Sequence, residues 1–142
     1  MNVVHLVAEY WPYARTGGLA EAVRGVASHQ ASHLATATTS VFMPLYRVAR
    51  QRAGELKLCC EVSVPLRGGV ETCRILRKSA ASDGPVAYFV DHPGSFDREG
   101  IYGEGGQDYP DNHLRFALFA RAVLEALIVR QDHRPSSRHY SL

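Results

Sequence analysis

Apolar residues along this chain occur either in short continuous runs or at helical spacing, a pattern that predicts strands alternating with helices. The first run, VVHLVA at residues 3–8, predicts a strand covered on both faces. A loop with two adjacent glycines follows it. From about residue 18 to residue 33, apolar side chains recur at the period of a helix. These positions are Leu19, Val23, Val26, Ala27 and Leu34.

The middle of the chain predicts a second strand and a hairpin. Residues 41–43 form another short apolar run, which is typical of a buried strand. Further on, the strand-like segments EVSVPL and VETCRIL flank Gly68 and Gly69, and two such arms around a two-glycine turn predict a hairpin. Residues 45–58 lie between these features. They are polar and basic, and they fit either a short helix or an exposed connection.

The C-terminal half predicts one more strand, a long loop and a helix. The run VAYFV at 86–90 predicts the strand, and the polar, Gly- and Asp-rich segment 91–112 predicts a loop of the length that is usually functional or disordered. Asp111 or Asn112 is a suitable cap for the helix that follows. Its apolar positions are Phe116, Phe119, Ala120, Val123 and Leu127. Periodicity is lost beyond residue 129, so residues 130–142 are predicted to be a disordered tail.

Composition places the chain among ordinary globular domains. Its 142 residues are 46% hydrophobic and 21% charged, which suits one domain with its own core. The formal net charge of +2 is too small to indicate nucleic acid or a membrane surface as a partner. No signal sequence or membrane-spanning run is apparent. Adjacent Cys59 and Cys60 are poorly placed for a mutual disulfide, and with only three cysteines a cytoplasmic location is expected.

The first loop offers the chemistry of an anion site. A strand, a glycine loop and a helix bring free backbone N–H groups and the positive end of a helix dipole together, which suits a phosphate. Arg15 could grip phosphate oxygens in bidentate fashion, whereas Thr16 could simply cap the helix. Gly17 and Gly18 match neither the dinucleotide fingerprint nor the Walker A pattern. An ordinary tight turn with an exposed arginine is therefore an equal alternative.

Two other groups of polar residues have weaker claims to a function. Asp91 and His92 follow a predicted strand at the edge where open α/β sheets bind ligands, but an Asp-His-Pro turn that organises its own backbone is the favoured interpretation. His29 and His33 are four residues apart, as in a zinc-binding helix. Gln30 stands where the metalloprotease pattern needs glutamate, so solvent-facing histidines are expected and no metal site is predicted.

Two longer segments resemble a known family. The sequence EYWPYARTGGLAEAV, and later YFVDHPGSFDREGIYG followed by DYPDNHLRFALFARAVLEAL, resemble blocks of bacterial glycogen synthases and plant starch synthases. The resemblance implies a Rossmann-like α/β fold, with an open, mostly parallel sheet and flanking helices. It further implies that residues 1–129 are part of the N-terminal half of a two-domain GT-B glycosyltransferase, and that residues 130–142 lie outside the family.

The activity implied by the resemblance is glucosyl transfer. ADP-glucose, or sometimes UDP-glucose, donates glucose to the non-reducing end of an α-1,4-glucan with retention of configuration and without a cofactor or metal. The family's second domain carries most nucleotide contacts and the groups used in transfer, so a complementing C-terminal half is an expected partner and no catalytic residue is assigned here. The alternative is a non-catalytic remnant, or a weak nucleotide or glucan binder.

The resemblance also implies a set of substrate-binding residues. Arg15 stands where the family has a lysine associated with the sugar nucleotide, and Glu21 stands where it has an aspartate. Tyr102 takes the place of an aromatic residue on the acceptor or sugar side of the cleft. Simple alternatives are a first-turn acid for Glu21 and a loop anchor for Tyr102. The predicted substrate-binding residues are Arg15, Thr16, Gly17, Gly18, Glu21 and Tyr102.

Overall fold

Strands and helices alternate along the chain as the apolar pattern predicts. The computed structural model describes residues 1–33, 38–79 and 84–132. Its elements in chain order are β1 (Asn2–Leu6), α1 (Leu19–His33), β2 (Thr38–Pro44), α2 (Arg47–Ala53), β3 (Leu56–Leu66), β4 (Gly69–Lys78), β5 (Val86–Asp91), α3 (Pro93–Phe96), β6 (Gly103–Glu104), β7 (Gln107–Asp108) and α4 (Asn112–Asp132). No helix among these described residues is long and apolar enough to cross a membrane.

Five strands form one sheet in the order β1-β2-β5-β4-β3. β1 pairs with β2 and β2 with β5 in parallel, whereas β4 is antiparallel to both β5 and β3. The α/β prediction is confirmed, and the sheet is mixed where mostly parallel pairing was expected. The reason is local: the β3–β4 hairpin joins the sheet next to β5, and a hairpin is antiparallel by construction.

The core lies on the two central parallel strands. Phe42 of β2 and Tyr88 of β5 stack with ring centroids 4.7 Å apart, and both are buried. Parallel strands covered on both faces read as continuous apolar runs, which explains why both were visible in the sequence. Because β1, β2 and β5 are parallel, their carboxyl ends meet at one edge. The loop after β1 and the long segment after β5 therefore come together there.

The β3–β4 hairpin turns one residue earlier than predicted. The two turn residues with positive φ are Arg67 (49°) and Gly68 (74°), while Gly69 already pairs with Leu66. The two-glycine turn at Gly68 and Gly69 is therefore wrong by one position. The undecided segment 45–58 divides into α2 and the first residues of β3.

Helix α1 forms where predicted, but its buried face differs. Leu19 and Val26 are 49% and 52% exposed, and the buried residues of this helix are Ala20 and Ala27. The predicted apolar positions at Leu19 and Val26 are therefore wrong as core positions. Ala27, also among the predicted positions, is buried as expected, and Ala20, which the apolar pattern did not include, lies on the same face. Leu34 lies outside the described residues.

The segment 91–112 is structured rather than a plain loop. It holds the short helix α3 and the small β6–β7 hairpin, whose turn uses Gly105 and Gly106 at positive φ. Helix α4 then runs to Asp132, beyond the predicted end of regular structure at residue 129. The rest of the predicted tail, residues 133–142, lies outside the described part of the chain.

We expect Gly103→Ala to lower the free energy of unfolding by about 2 kcal/mol, measured by chemical denaturation. A methyl group at this position would overlap the backbone carbonyl of Gln107, which pairs across the β6–β7 hairpin. Gly25→Ala is the matched control. Its methyl group meets no atom within 4 Å, and alanine within a helix should stabilise the chain by about 0.5–1 kcal/mol. Equal stability of the two variants would contradict the close packing of this hairpin.

Candidate functional site

The loop between β1 and α1, residues 7–18, is anchored in its first half and exposed in its second. Tyr10 and Ala14 are buried and form a backbone bridge. The amide of Trp11 donates to the carbonyl of Ala20 at 3.4 Å, and the Trp11–Pro12 peptide bond is cis. Residues 15–18, in contrast, are all exposed. Arg15 and the two glycines are thus exposed to solvent, while the preceding residues anchor the loop in the core.

The buried side chain of Glu9 holds the exposed half of this loop through hydrogen bonds. Its side chain is only 3% exposed. Its carboxylate accepts hydrogen bonds from the Thr16 amide at 2.8 Å, the Thr16 hydroxyl at 2.6 Å and the Tyr102 hydroxyl at 2.8 Å. The sequence prediction did not include Glu9. The signal available was an acidic residue directly after the apolar run 3–8, inside the family-like segment. That run is only half-buried, because β1 is an edge strand, so the expected strand covered on both faces is wrong.

Burial and hydrogen bonding together set the protonation states of Glu9 and Tyr102. Burial raises the pKa of Glu9, but the hydrogen bonds from Thr16 and Tyr102, together with the Gly17 amide, outweigh it and hold the pKa below the ordinary 4.5. Burial and the bond to Glu9 both raise the pKa of Tyr102. At neutral pH, Glu9 is therefore ionised and Tyr102 is a protonated donor.

Thr16 does not cap helix α1. The helix begins at Leu19, and the Ala22 amide donates to the carbonyl of Gly18, two positions after Thr16. The N-cap alternative for Thr16 is therefore wrong, since its hydroxyl is bound to Glu9. The Thr16 amide, expected to be free for an anion, is bound there too. Donors for a ligand must come from the first turn of α1, where helices leave backbone N–H groups without intrahelical partners.

Arg15 and Glu21 are brought together as an ion pair. The Arg15 Nη1 atom lies 2.7 Å from the Glu21 Oε1 atom, and the side chains are 52% and 43% exposed. The Arg15 guanidinium also lies 5.8 Å from the centre of the Trp11 ring. An ion pair this exposed contributes about 0–1 kcal/mol, so a doubly charged anion could displace Glu21 from Arg15.

Gly17 and Gly18 are not required by the backbone. Neither has a positive φ, and a methyl group built at either position meets no atom within 4 Å. The chain could therefore accommodate alanine at both sites without strain. What the two glycines provide is an open surface on which a ligand can approach the backbone closely.

The long segment after β5 is held by a buried arginine. Arg115 is 1% exposed and donates to the carbonyls of Ser95 at 2.6 Å and Ile101 at 3.0 Å. It also donates to the Asn112 side chain at 2.6 Å, and Asn112 in turn donates to the Tyr102 carbonyl at 2.8 Å. Burial lowers the pKa of Arg115. Tyr102 therefore stands on a rigid support.

The start of α4 uses its polar residues differently from the prediction. Both carboxylate oxygens of Asp111 accept from Arg98, at 2.7 and 2.6 Å. That bond lowers the pKa of Asp111. The expected side-chain cap by Asp111 or Asn112 is thus not formed, because both side chains bind other partners. Only the Asp111 carbonyl bonds the first helical turn, through the amides of Leu114 and Arg115.

With this geometry established, the comparisons with known proteins decide the family. The family described as the starch synthase catalytic domain matches residues 2–140. This chain belongs to that family. The match extends past residue 129, and the predicted boundary there stays a prediction.

Related proteins are longer than this starch synthase family member. Glycogen synthase 2 of Geobacter sulfurreducens is 41% identical over 98% of this chain and 28% of its own length. The glycogen synthase of Syntrophotalea carbinolica is 39% identical over 89% of this chain and 26% of its own. The solved catalytic domain of starch synthase IV from Arabidopsis thaliana, bound to ADP and acarbose, has a TM-score of 0.72 and 27% identity, covering 94% of this chain and 26% of that one. The chain thus spans about a quarter of these proteins.

Asp91 and His92 of this synthase domain are engaged by neighbouring side chains. Asp91 is buried, and its carboxylate lies 2.6 Å from Arg50. The His92 ring lies between the Ser95 hydroxyl at 2.8 Å and the Glu71 carboxylate at 3.0 Å. Only the Ser95 contact is local, so these side chains chiefly bind partners distant in sequence rather than organise their own turn, as the sequence had favoured.

His29 and His33 are exposed, and their rings stack 4.0 Å apart. Within the residues that the structure describes, no group of three His, Cys, Asp or Glu side chains is placed to hold a metal ion.

Tyr102→Phe should destabilise this domain more than Tyr109→Phe does. Tyr102 donates to a carboxylate, and a bond to a charged group contributes about 1.5–3 kcal/mol. The Tyr109 hydroxyl accepts from the Gly100 amide at 3.1 Å, a neutral bond that contributes about 0.5–1.5 kcal/mol. Urea denaturation at neutral pH measures both.

The pH dependence of the Tyr102→Phe effect provides a second check. Because folding lowers the pKa of Glu9, its stabilisation is present above the unfolded value and is lost as pH falls through the folded value. The excess cost of Tyr102→Phe should therefore shrink as the pH falls below the ordinary 4.5 of a glutamate and through its lowered folded pKa. A cost equal to that of Tyr109→Phe at neutral pH, or one independent of pH, would contradict the assignment.

Proposed function

We propose that this chain is the N-terminal portion of a glycogen or starch synthase of the two-domain GT-B type. The enzyme would transfer glucose from ADP-glucose to the non-reducing end of an α-1,4-glucan with retention. Family membership supports the proposal, as does a structural relative solved with ADP and acarbose. Three free thiols in the chain support a cytoplasmic location.

The open surface at Gly17 and Gly18 is the observation that carries this proposal. Since neither glycine is needed for backbone conformation or packing, their small size serves an approaching ligand. The loop precedes the N-terminus of the 15-residue helix α1, where the helix dipole favours an anion. The diphosphate of a sugar nucleotide fits both features. ADP-glucose and UDP-glucose share this group, and the loop binds either through it.

Arg15 supplies the charge for this interaction. Its pairing with Glu21 is weak and exposed, so the guanidinium can exchange a carboxylate for phosphate oxygens, which it grips in bidentate fashion. Glu21 then returns to solvent at the first turn of α1. Tyr102 lies close to the same loop, and we assign its ring to the acceptor or sugar side.

Transfer itself requires the remainder of the enzyme. Glycosyl transfer depends on preorganised charges around the leaving diphosphate and the reacting carbon. The chain spans only 28% of its relative from Geobacter sulfurreducens, and the described residues supply one wall of the required site. Binding by this chain and catalysis by a completed enzyme are therefore separable properties.

We expect ADP to bind at the loop and Gly17→Ala to weaken that binding at least about tenfold. The methyl group occupies the space of closest approach, while stability changes by less than about 0.5 kcal/mol because nothing lies within 4 Å. Titration followed by amide NMR shifts of residues 15–21 measures the affinity. Gly25→Ala, within helix α1, is the control and should bind ADP as wild type does. Unchanged affinity of Gly17→Ala would refute a ligand role for the glycines.

The pure chain should transfer no radiolabelled glucose from ADP-glucose to glycogen. Co-expression with the remaining C-terminal part of the Geobacter sulfurreducens relative should restore transfer, because that part completes the cleft. The C-terminal part expressed by itself is the control. Transfer by the pure chain would contradict the division of roles. A folded chain that binds neither ADP nor maltooligosaccharides would favour the non-catalytic remnant.

A further inference from the structure

Glu9 joins two parts of the chain that are far apart in sequence. Its bond to Tyr102 spans 93 residues, and its bonds to Thr16 reach the exposed turn of the first loop. The side chain is buried at 3% exposure. We propose that Glu9 is a positioning residue for the nucleotide-sugar site, holding the turn at residues 16–18 in the shape that receives a diphosphate. This inference rests on the proposed function.

The contacts of Glu9 exclude a direct chemical role. A carboxylate offers about four acceptor positions. One oxygen takes the hydroxyls of Thr16 and Tyr102, and the other takes the Thr16 amide. The Gly17 amide adds a further favourable interaction. Little acceptor capacity remains for a substrate hydroxyl, so Glu9 acts through the loop rather than on the substrate.

The Tyr102 side of this connection is the rigid side. The Tyr102 carbonyl accepts from the Asn112 side chain at 2.8 Å and from the Tyr109 amide at 2.9 Å. The preceding carbonyl, of Ile101, is held by buried Arg115 at 3.0 Å. The loop, in contrast, is exposed from residue 15 to residue 18. Through its bonds to both Tyr102 and Thr16, Glu9 therefore restrains the exposed turn against the hydrogen-bonded segment around Tyr102.

A carboxylate is specifically required for this connection. The Thr16 amide, the Thr16 hydroxyl and the Tyr102 hydroxyl all donate to Glu9. Glutamine has the same size, but its NH₂ group is itself a donor and would face at least one of these donors. Ligand binding gains affinity when the binding loop is already ordered, because less conformational freedom is lost. Glu9→Gln should therefore loosen the turn while keeping the size of the side chain.

Two physical effects of Glu9 oppose each other for an anionic ligand. Its ordering of the turn favours binding, whereas its negative charge repels a nearby diphosphate. The charge is buried and already satisfied by donors, so the ordering effect should dominate. Glu9→Gln should accordingly lower the affinity for ADP. If repulsion dominated, the same substitution would raise it, and the sign of the change decides between the two.

The experiment compares Glu9→Gln with Asp91→Asn. Each removes one buried carboxylate, but Asp91 binds Arg50 at 2.6 Å and has no bond to the loop. Hydrogen exchange of the Thr16 and Gly17 amides is measured without ligand, below the melting temperature of every variant. We expect exchange to accelerate at least about tenfold in Glu9→Gln and not in Asp91→Asn, with ADP affinity falling in parallel.

Milder variants keep the test usable if Glu9→Gln unfolds. Thr16→Val removes one donor to Glu9 but retains the amide and the side-chain shape, and it should show a smaller acceleration. Thr16→Ser retains both donors, so the amide of residue 16 should exchange more slowly in it than in Thr16→Val. Unchanged exchange in Glu9→Gln, or a rise in its ADP affinity, would overturn the positioning role. Failure of wild type to bind ADP would refute the proposed function, while the exchange data still decide how the loop is ordered.

Discussion

The buried carboxylate of Glu9 is the constraint on which the carboxyl edge of the parallel strands depends. A charge removed from water is very costly unless donors surround it, so a chain that buries Glu9 must also bring those donors to it. Thr16 and Tyr102 provide them. The loop after β1 and the segment after β5 therefore cannot separate without breaking the bond between Tyr102 and this carboxylate. Polar bonds therefore add to the apolar packing of Tyr10, Phe96 and Ile101 at this edge of the sheet.

Arg115 plays the complementary part on the other side of that edge. It is as deeply buried as Glu9, and it directs its N–H groups at backbone carbonyls of the long segment after β5. Aromatic rings also surround it, with its guanidinium 4.9 Å from the centre of Tyr109. Glu9 accepts hydrogen bonds from side-chain and backbone donors, whereas Arg115 donates to backbone carbonyls. The segment between β5 and α4, whose own regular structure is limited to α3 and the two-stranded β6–β7 hairpin, is thereby held in place.

The sequence predicted the regular elements better than the contacts between them. The apolar runs of β2 and β5 and the period of α4 were visible because burial on both faces, or on one helical face, imposes a local pattern. The α1 prediction was right at Ala27 but wrong at Leu19 and Val26, which are exposed, and it did not include the buried Ala20. The role of Glu9 was not predicted for a different reason. Its significance lies in a bond to Tyr102, 93 residues away, and no local pattern encodes such a distance.

The exposed half of the site shows how two departures from the family pattern act together. The resemblance places Arg15 where the family has lysine and Glu21 where it has aspartate, so both side chains are longer than expected. In the structure they pair with each other at 2.7 Å. Arginine in place of lysine keeps the positive charge at residue 15, and glutamate in place of aspartate keeps the negative charge at residue 21. The two longer side chains still meet as an ion pair. A net-neutral pair cannot attract a diphosphate from a distance. In the proposed binding mode, phosphates would have to outcompete Glu21 for the guanidinium at short range, where bidentate geometry favours them.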